Sequence, residues 1–408
     1  MGLKDRLRGK RTPEDAFADE VSRLVTQLLP VQKVERGDDF SLKLTIRGKT
    51  EPTHMFLQNI FVEASRLEGA ARDERLRIAV LAMTPSDRPK TWAEAQPRLM
   101  PSLRAASWAA ATTIMGKSPF RREFAPFVEL MVAVDDEHSM SFVTDDDIRE
   151  WGVDEEAVLA TAIANLAKTP APVGGPEGAP WLEVHGPDGY VSSWLVVPDA
   201  LMQFGASLGD ELVAVTKSRD SLRLISTRDA GALEQELNRV EAEYLAEPRQ
   251  LSPVPYQLQS DRLVAWDPPA DHPCRRVVDR LHRILAMREY DLQLNVLTDL
   301  FAKSGVDVYV AKYTLMEREN RTVWSWCTWV RQVTDGLLPE TDYVCLGDNN
   351  DSKASVWVRW DDAVRLAGVA LRDEPDYSPG RWRVHGWPDD AVMATLRNAA
   401  VDPPNDGP

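Results

Sequence analysis

One long helix is predicted by the stretch RRVVDRLHRILAMREYDLQLNVLTDLFAK (275–303), in which apolar residues recur at three- and four-residue intervals. These apolar residues cover more than one narrow stripe, so a wide arc of the helix must be covered by other parts of the chain. Four or five strand-like stretches follow it, among them the tryptophan-rich TVWSWCTWV (322–330). The sequence therefore predicts a C-terminal unit over residues 273–400, in which a long helix packs against a tryptophan-rich antiparallel sheet.

Two further units are predicted upstream of this helix. Residues 1–85 have the pattern of a helix, a β-hairpin and one or two more helices, with a second helix beginning near Thr53. Residues 99–246 alternate between strand-like and helix-like stretches. The proline-rich segment 247–273 is expected to be irregular and to mark a domain boundary. The predicted fold class is α+β, with two or three mixed units of antiparallel sheet with helices packed on one face.

Composition and charge exclude several classes of protein. The chain has 408 residues and a formal charge of −16, which argues against a nucleic-acid-binding protein, because such a protein needs a basic face. No apolar run approaches the roughly 20 residues needed to cross a bilayer. Three cysteines in so long a chain do not form a disulfide framework, which favours a reducing, cytoplasmic location. Residues 1–11 hold five basic residues against one aspartate, so weak docking to an acidic surface remains an alternative to a leader without structure.

No motif commits the chain to catalysis, to a metal or to a cofactor. Gly205-Ala206-Ser207-Leu208-Gly209 matches G-x-S-x-G, but a nucleophile elbow needs a strand before the serine and a helix after it. Here the predicted order is the reverse. The six histidines are scattered, and neither a phosphate-binding loop nor a dinucleotide fingerprint occurs. We therefore expect no catalytic residues, no metal site and no cofactor.

Tryptophan is the most distinctive feature of the C-terminal unit. Trp324, Trp326 and Trp329 lie on one predicted strand. Trp357 lies on a second strand that is predicted to be adjacent to it in the sheet. Alternation along the strand places Trp324 and Trp326 on one face and Trp329 on the other. Two interpretations stay open for these four candidate binding residues. They form a core under the long helix, or some of them line a groove that binds a partner, since tryptophan is favoured at binding hot spots.

A resemblance to a known family rests on three short stretches in the predicted middle unit. The stretches are Leu99-Met-Pro-Ser-Leu-Arg104, Val132-Ala-Val-Asp135 with Phe142-Val-Thr144 and Asn165-Leu166, and Gly209-Asp210-Glu211 with Ser218-Arg219-Asp220-Ser221-Leu222. Their order and spacing resemble the YtpQ-like family of bacterial proteins over about residues 99–245, a resemblance that implies no known activity. Within the last stretch, Arg219 and Asp220 are candidate binding residues at the edge of a polar pocket. The alternative is a turn in which Asp220 bonds its own backbone.

The sequence thus favours a non-catalytic interaction or regulatory protein, of the adaptor or chaperone-like kind, that binds a protein partner in the cytoplasm. Two alternatives remain open. One is a hydrolase that uses carboxylates such as Asp135, Asp136 or Asp220, which requires the fold to bring them together with pKa values driven apart. The other is a sensor of a small ligand. The chemistry of the largest cleft discriminates among these three functions.

Overall fold

The computed structural model describes residues 12–37, 39–48, 51–84, 88–114, 118–137, 139–186, 189–209, 211–259, 262–348 and 351–402. The chain divides into two compact units, one of Met1–Met100 with Ala133–Asn165 and the other of Pro101–Val132 with Leu166–Pro408. This division differs from the three units predicted over residues 1–85, 99–246 and 273–400. The predicted role of the basic segment 1–11 falls outside the described residues.

The described residues form helices and mostly antiparallel sheets, which confirms the predicted α+β class. The helices are α1 Pro13–Leu28, α2 Gln58–Ala64, α3 Gly69–Leu81, α4 Trp92–Ala95, α5 Ala106–Ile114, α6 Asp145–Trp151, α7 Glu155–Leu166, α8 Pro198–Gly205, α9 Ala230–Ala246, α10 Arg275–Ser304, α11 Trp360–Ala367 and α12 Asp390–Asn398. None of these described helices is long and apolar enough to cross a bilayer.

The strands are β1 Val31–Arg36, β2 Ser41–Ile46, β3 Thr53–Phe56, β4 Leu99–Ala105, β5 Arg121–Ala125, β6 Val128–Asp135, β7 Met140–Phe142, β8 Val173–Gly174, β9 Trp181–Val184, β10 Leu212–Ser218, β11 Arg223–Ser226, β12 Gln250–Gln259, β13 Arg262–Ala265, β14 Tyr309–Val310, β15 Thr314–Glu317, β16 Val323–Val330, β17 Gly336–Leu338, β18 Tyr343–Asp348, β19 Asp351–Arg359, β20 Leu371–Glu374 and β21 Arg381–Val384.

The first unit begins with a helix and a hairpin, as its sequence predicts. Thr12 caps α1 in a capping box with Asp15, and β1 pairs with β2 in antiparallel register. The second helix predicted from Thr53 is wrong in its first turn, because Thr53–Phe56 is a third strand on β2. Every second side chain of that strand is exposed, and its Met55 enters the core. The same unit holds α6, which Thr144 begins with a second capping box.

The second unit contains a six-stranded antiparallel sheet in the order β13-β12-β10-β11-β9-β8. Helices α9 and α10 bury their apolar residues against this sheet. The irregular boundary predicted over 247–273 is wrong, because β12 pairs with β10 inside the sheet. The prolines at 253 and 255 cannot donate ladder hydrogen bonds, and a register shift opposite them between Ala214 and Thr216 accommodates their missing N–H groups.

The C-terminal part of this unit confirms the long helix and extends its end by one residue, to Ser304. The prediction of a single antiparallel sheet after this helix is wrong. Two four-stranded sheets form, in the orders β15-β16-β18-β19 and β14-β17-β21-β20, and each contains one parallel pair. Trp360 follows strand β19 directly and is the first residue of α11. Its side chain is buried in the core that α11 and α12 share with the first of these sheets.

A fully buried arginine ties α10 to the second of these sheets. Arg381 on β21 donates from Nε to the Gln293 side-chain oxygen at 2.5 Å, and from Nη1 to the carbonyl oxygens of Ala311 at 2.9 Å and Leu337 at 3.2 Å. Its guanidinium lies 5.1 Å from the centre of the Tyr290 ring. Burial lowers the pKa of Arg381 to about 10, so the side chain stays charged at neutral pH.

Candidate functional site

The sheet β15-β16-β18-β19 has one buried face and one open face. Strand β16 alternates along its length, so that Ser325, Cys327 and Trp329 are buried while Trp324 and Trp326 are partly exposed. Trp329 is 0 % exposed and donates its indole N–H to the carbonyl oxygen of Gly386 at 3.0 Å. The prediction that Trp329 is a binding residue is therefore wrong, because a side chain with no accessible surface cannot contact a ligand.

Four partly exposed rings, Trp324, Trp326, Tyr343 and Trp357, lie together on the open side of this sheet, and we call them the aromatic face. The ring centres of Trp326 and Trp357 are 5.0 Å apart, and Trp324 lies 6.0 Å from Trp357 and 5.8 Å from Tyr343. The ring planes cross at angles of 52° to 89°. Crossed rings leave slots between them, whereas parallel rings would present one flat surface.

Strand register explains why these rings meet. In the parallel pair of β16 and β18, Trp326 is the register partner of Tyr343. In the antiparallel pair of β18 and β19, Trp357 is the partner of Cys345, two residues along from Tyr343 on the same side. Tryptophans that are far apart in the sequence therefore become neighbours through the intervening strand β18.

A cleft of about 490 Å³ adjoins the aromatic face, and Trp324 and Tyr343 form part of its wall. One side of the cleft is held by Arg283 of α10, which forms a bidentate ion pair of 2.8 Å with Asp342. The backbone N–H and the hydroxyl of Ser325 also donate to Asp342, at 2.7 and 2.9 Å. Burial alone would raise the pKa of Asp342, but these donors outweigh it and the pKa lies below its ordinary value.

Two other arginines line the same cleft without an acidic partner. Among the described residues, the side chains of Arg318 and Arg359 form neither an ion pair nor a hydrogen bond, although Glu340 and Asp361 also line the cleft. The Nε of Arg318 is buried with no acceptor. The guanidinium of Arg359 lies 5.7 Å from the centre of the Tyr343 ring, a cation–π distance. Both charges are therefore free to bind an anionic group.

The carboxyl groups of the cleft have pKa values shifted in opposite directions. Partial burial raises the pKa of Glu340, and the negative charges of Asp361 and Asp373 raise it further, whereas the pKa of Asp342 is lowered. Such a split is typical of an acid–base pair in an enzyme. Both oxygens of Asp342 are nevertheless occupied by Arg283 and Ser325, so this carboxylate braces the strands and has no oxygen left for a substrate.

The second predicted site, Arg219 and Asp220, lies in the turn between β10 and β11. Asp220 accepts a hydrogen bond from the backbone N–H of Gly189 and lies 3.3 Å from the Nε of Arg219. It also borders a smaller cleft of about 270 Å³. In that cleft, Arg223 pairs with Glu183 at 2.7 Å and Lys217 pairs with Glu243 at 2.8 Å. The pair lies in a turn, but Asp220 bonds the backbone of Gly189 in another segment, whereas the turn interpretation proposed a bond to its own backbone. Asp220 also reaches the edge of a pocket, as the other interpretation proposed.

The structure brings together two of the stretches that carry the family resemblance. The backbone N–H of Leu103 donates to the Ser193 hydroxyl at 3.3 Å, and the N–H of Ser192 donates to the carbonyl oxygen of Arg219 at 3.0 Å. Arg104, next in the chain, is buried beside the same turn. Burial lowers the pKa of Arg104 to about 9, and the positive charge of Arg219 lowers it in the same direction.

The other carboxylates considered for hydrolysis are divided between the two units. In the first unit, Asp136 pairs with Arg98 at 3.1 Å, and the carbonyl oxygen of Asp135 accepts from the same arginine. Asp220 belongs to the second unit. Ser207 follows helix α8 and precedes strand β10, the reverse of a nucleophile elbow, as predicted. Within the described ranges, no group of three or more His, Cys, Asp or Glu side chains is placed to hold a metal ion.

No protein family, no curated protein and no solved structure matches the chain. The resemblance to the YtpQ-like family therefore stays a prediction.

Sequence reasoning missed three members of the site: Arg318, Tyr343 and Arg359. A signal for Arg359 was present, because it stands two residues after Trp357 and therefore on the same face of the strand. No such signal marks Arg318, which enters the cleft through a turn where its N–H donates to the carbonyl oxygen of Thr322 at 2.9 Å. Tyr343 joins the site through a parallel pairing that the local sequence does not reveal.

Proposed function

We propose that the chain is a non-catalytic recognition protein that binds an extended segment of a protein partner on the aromatic face and in the adjoining cleft. The observation that carries this proposal is the combination of three partly exposed tryptophans on an open sheet face with two arginines that lack an acidic partner. Tryptophan and arginine are the residues most enriched at binding hot spots. Few exposed groups in a chain of net charge −16 would offer an anion such a site.

The shape of the aromatic face favours a peptide over a compact small molecule. The face extends past the cleft, since Trp326 and Trp357 lie beside its wall and are not part of it. It also spans the three strands β16, β18 and β19, which lie about 4.8 Å apart in a sheet. The slots between its crossed rings suit proline rings, because polyproline II segments dock in aromatic grooves with little loss of entropy.

Two further observations support a role without catalysis. Asp342 is the only lining carboxylate of the large cleft with a lowered pKa among the described residues, and it is fully engaged in hydrogen bonds. In the smaller cleft, burial acts to raise the pKa of Glu243, but Lys217 and Arg223 outweigh it and lower the pKa below its ordinary value. A general acid needs the opposite shift. Glu340 of the large cleft does have a raised pKa, but Asp342 beside it has no oxygen left to complete an acid–base pair. We also propose a reducing, cytoplasmic setting, which the three free, buried cysteines support.

The test is binding of a fluorescent, acidic, proline-rich peptide, followed by anisotropy. We expect Trp326→Ala and Trp357→Ala each to weaken binding about tenfold or more, the usual loss at a tryptophan hot spot. Arg318→Met should weaken binding of the acidic peptide several-fold and should reduce its dependence on salt, because the lost contact is electrostatic.

Trp108→Ala is the control, since Trp108 is 41 % exposed, more than the tryptophans of the aromatic face, and lies outside that face. It should bind the peptide as the unaltered chain does. Urea unfolding of each variant checks that the fold is intact. Equal affinities of the unaltered chain, Trp326→Ala and Trp357→Ala would refute the proposed function.

A further inference from the structure

The end of the described chain meets the aromatic face at one strand. Helix α12 packs on the buried face of the sheet, where its Met393 and Leu396 share a core with Trp329. After α12, the backbone N–H of Val401 donates to the carbonyl oxygen of Trp357 at 2.9 Å. Strand β19, which carries Trp357, is an edge strand of its sheet. The chain therefore runs from the buried face of the sheet to its edge strand β19, whose Trp357 side chain lies on the open face.

The next residues have the composition that the aromatic face and its arginines would recognise. The sequence from 402 to 408 is DPPNDGP, with three prolines and two aspartates in seven residues. Residues 403–408 lie outside the described part of the chain. Their prolines match the slots between the crossed rings, and their aspartate matches the two arginines without an acidic partner.

The distances allow this segment to reach the site. Six residues span at most about 20 Å when extended. The rings of Trp326 and Trp324 lie 5.0 and 6.0 Å from the ring of Trp357, on whose backbone the segment begins. A segment tethered so close has an effective concentration in the millimolar range, so even weak contacts compete with a ligand from solution.

We propose that residues 403–408 are an internal ligand of the aromatic face, which a partner's acidic, proline-bearing segment must displace. This inference rests on the proposed function, since it names what regulates the same site.

The experiment compares the full chain with a chain that ends at Asp402. Indole ¹H–¹⁵N NMR signals are assigned through single Trp→Phe variants. We expect truncation to shift the signals of Trp324, Trp326 and Trp357 and to leave that of Trp329 unchanged, since Trp329 lies on the opposite, buried face. The free peptide DPPNDGP, added to the truncated chain, should reverse those shifts. Truncation should also tighten binding of the acidic, proline-rich probe peptide about three- to tenfold.

A second variant, Pro403→Ser with Pro404→Ser and Asp406→Asn, keeps the length of the chain and should behave like the truncated one. The Trp329 signal and urea unfolding show whether truncation disturbs the fold. If it does, the triple variant is the one that tests the internal ligand. Unchanged signals of the aromatic face in both variants would overturn the internal ligand, even if the truncated chain binds the probe peptide. If the signals shift but the probe peptide does not bind, the internal ligand is supported and the proposed peptide partner is refuted.

Discussion

Arg381→Met is expected to destabilise the second unit by about 3–5 kcal/mol, the usual effect of removing one member of a buried polar cluster. Arg381 is 0 % exposed and donates to the Gln293 side chain and to the carbonyl oxygens of Ala311 and Leu337. Methionine fills a similar volume but donates no hydrogen bond. The side-chain oxygen of Gln293 and the carbonyl oxygen of Ala311 would then lose this donor, whereas Leu337 keeps the N–H of Ala311. Each buried acceptor left unpaired costs roughly 1–3 kcal/mol before relaxation.

Urea unfolding followed by circular dichroism measures this loss, and Arg383→Met on the same strand is its control. Arg383 pairs with Asp335 at 2.7 Å, but its side chain is 26 % exposed. Asp335 is 28 % exposed, so water solvates its charge once Arg383 is replaced, and we expect a loss below about 1 kcal/mol. The interpretation of Arg381 as a structural tie would be wrong if the two variants unfolded at the same urea concentration.

Glu289→Gln is expected to make the protein more stable at pH 8 and to leave its stability at pH 5 nearly unchanged. Glu289 of α10 is 2 % exposed, and one of its carboxylate oxygens accepts from the backbone N–H of Ser107 at 2.8 Å. Burial raises the pKa of Glu289 from 4.5 to about 7, although the Ser107 hydrogen bond and the charge of Arg288 act in the opposite direction. Burial therefore dominates over both favourable contacts.

The sign of the pH dependence follows from this shift. Between pH 4.5 and pH 7 the folded chain holds a proton at Glu289 that the unfolded chain has released. The contribution of Glu289 to stability is therefore complete below about pH 4.5 and is lost as the pH rises through 7. A shift of this size corresponds to roughly 3 kcal/mol at pH 8, and glutamine avoids that loss because it stays neutral.

Free energies of unfolding at pH 5, 6, 7 and 8 would show this difference directly. The curve for Glu289→Gln should diverge upward from that of the unaltered chain between pH 5 and pH 8. Glu319→Gln is the control, because Glu319 is exposed in a turn, and its curve should run parallel to that of the unaltered chain. Parallel curves for Glu289→Gln as well would contradict a buried, proton-binding Glu289.

Both residues act through the helix that also supports the candidate site. Helix α10 places Arg283 at the cleft, Glu289 against Ser107, and Gln293 against Arg381. These contacts are spread over about three turns, with Arg283 on a different side of the helix from Glu289 and Gln293. Loss of the buried contact of Glu289 or of Arg381 is therefore expected to weaken peptide binding only to the extent that it destabilises the fold. Substitutions in the aromatic face are expected to weaken binding without destabilising the fold.

Local sequence determined the parts of the fold whose causes are local. The long helix α10, the capping boxes of Thr12 and Thr144, and the alternation that separates Trp326 from Trp329 were all predictable. Each depends on residues within a few positions along the chain, through helical or strand periodicity or through a cap that satisfies the first N–H groups. The same alternation made the tryptophans candidates for a site before any packing was considered.

Only the tertiary structure decided which of those candidates meet and what surrounds them. Strand β12 was unexpected because its prolines disfavour a central strand, and a bulge in β12 itself, between Ser252 and Tyr256, accommodates them in that place. The aromatic face depends on the parallel pairing of β16 with β18, between residues far apart in the chain. Trp329 could be assigned to the core only once α12 was seen to cover its face, because burial is a property of packing between elements and is not written in one segment.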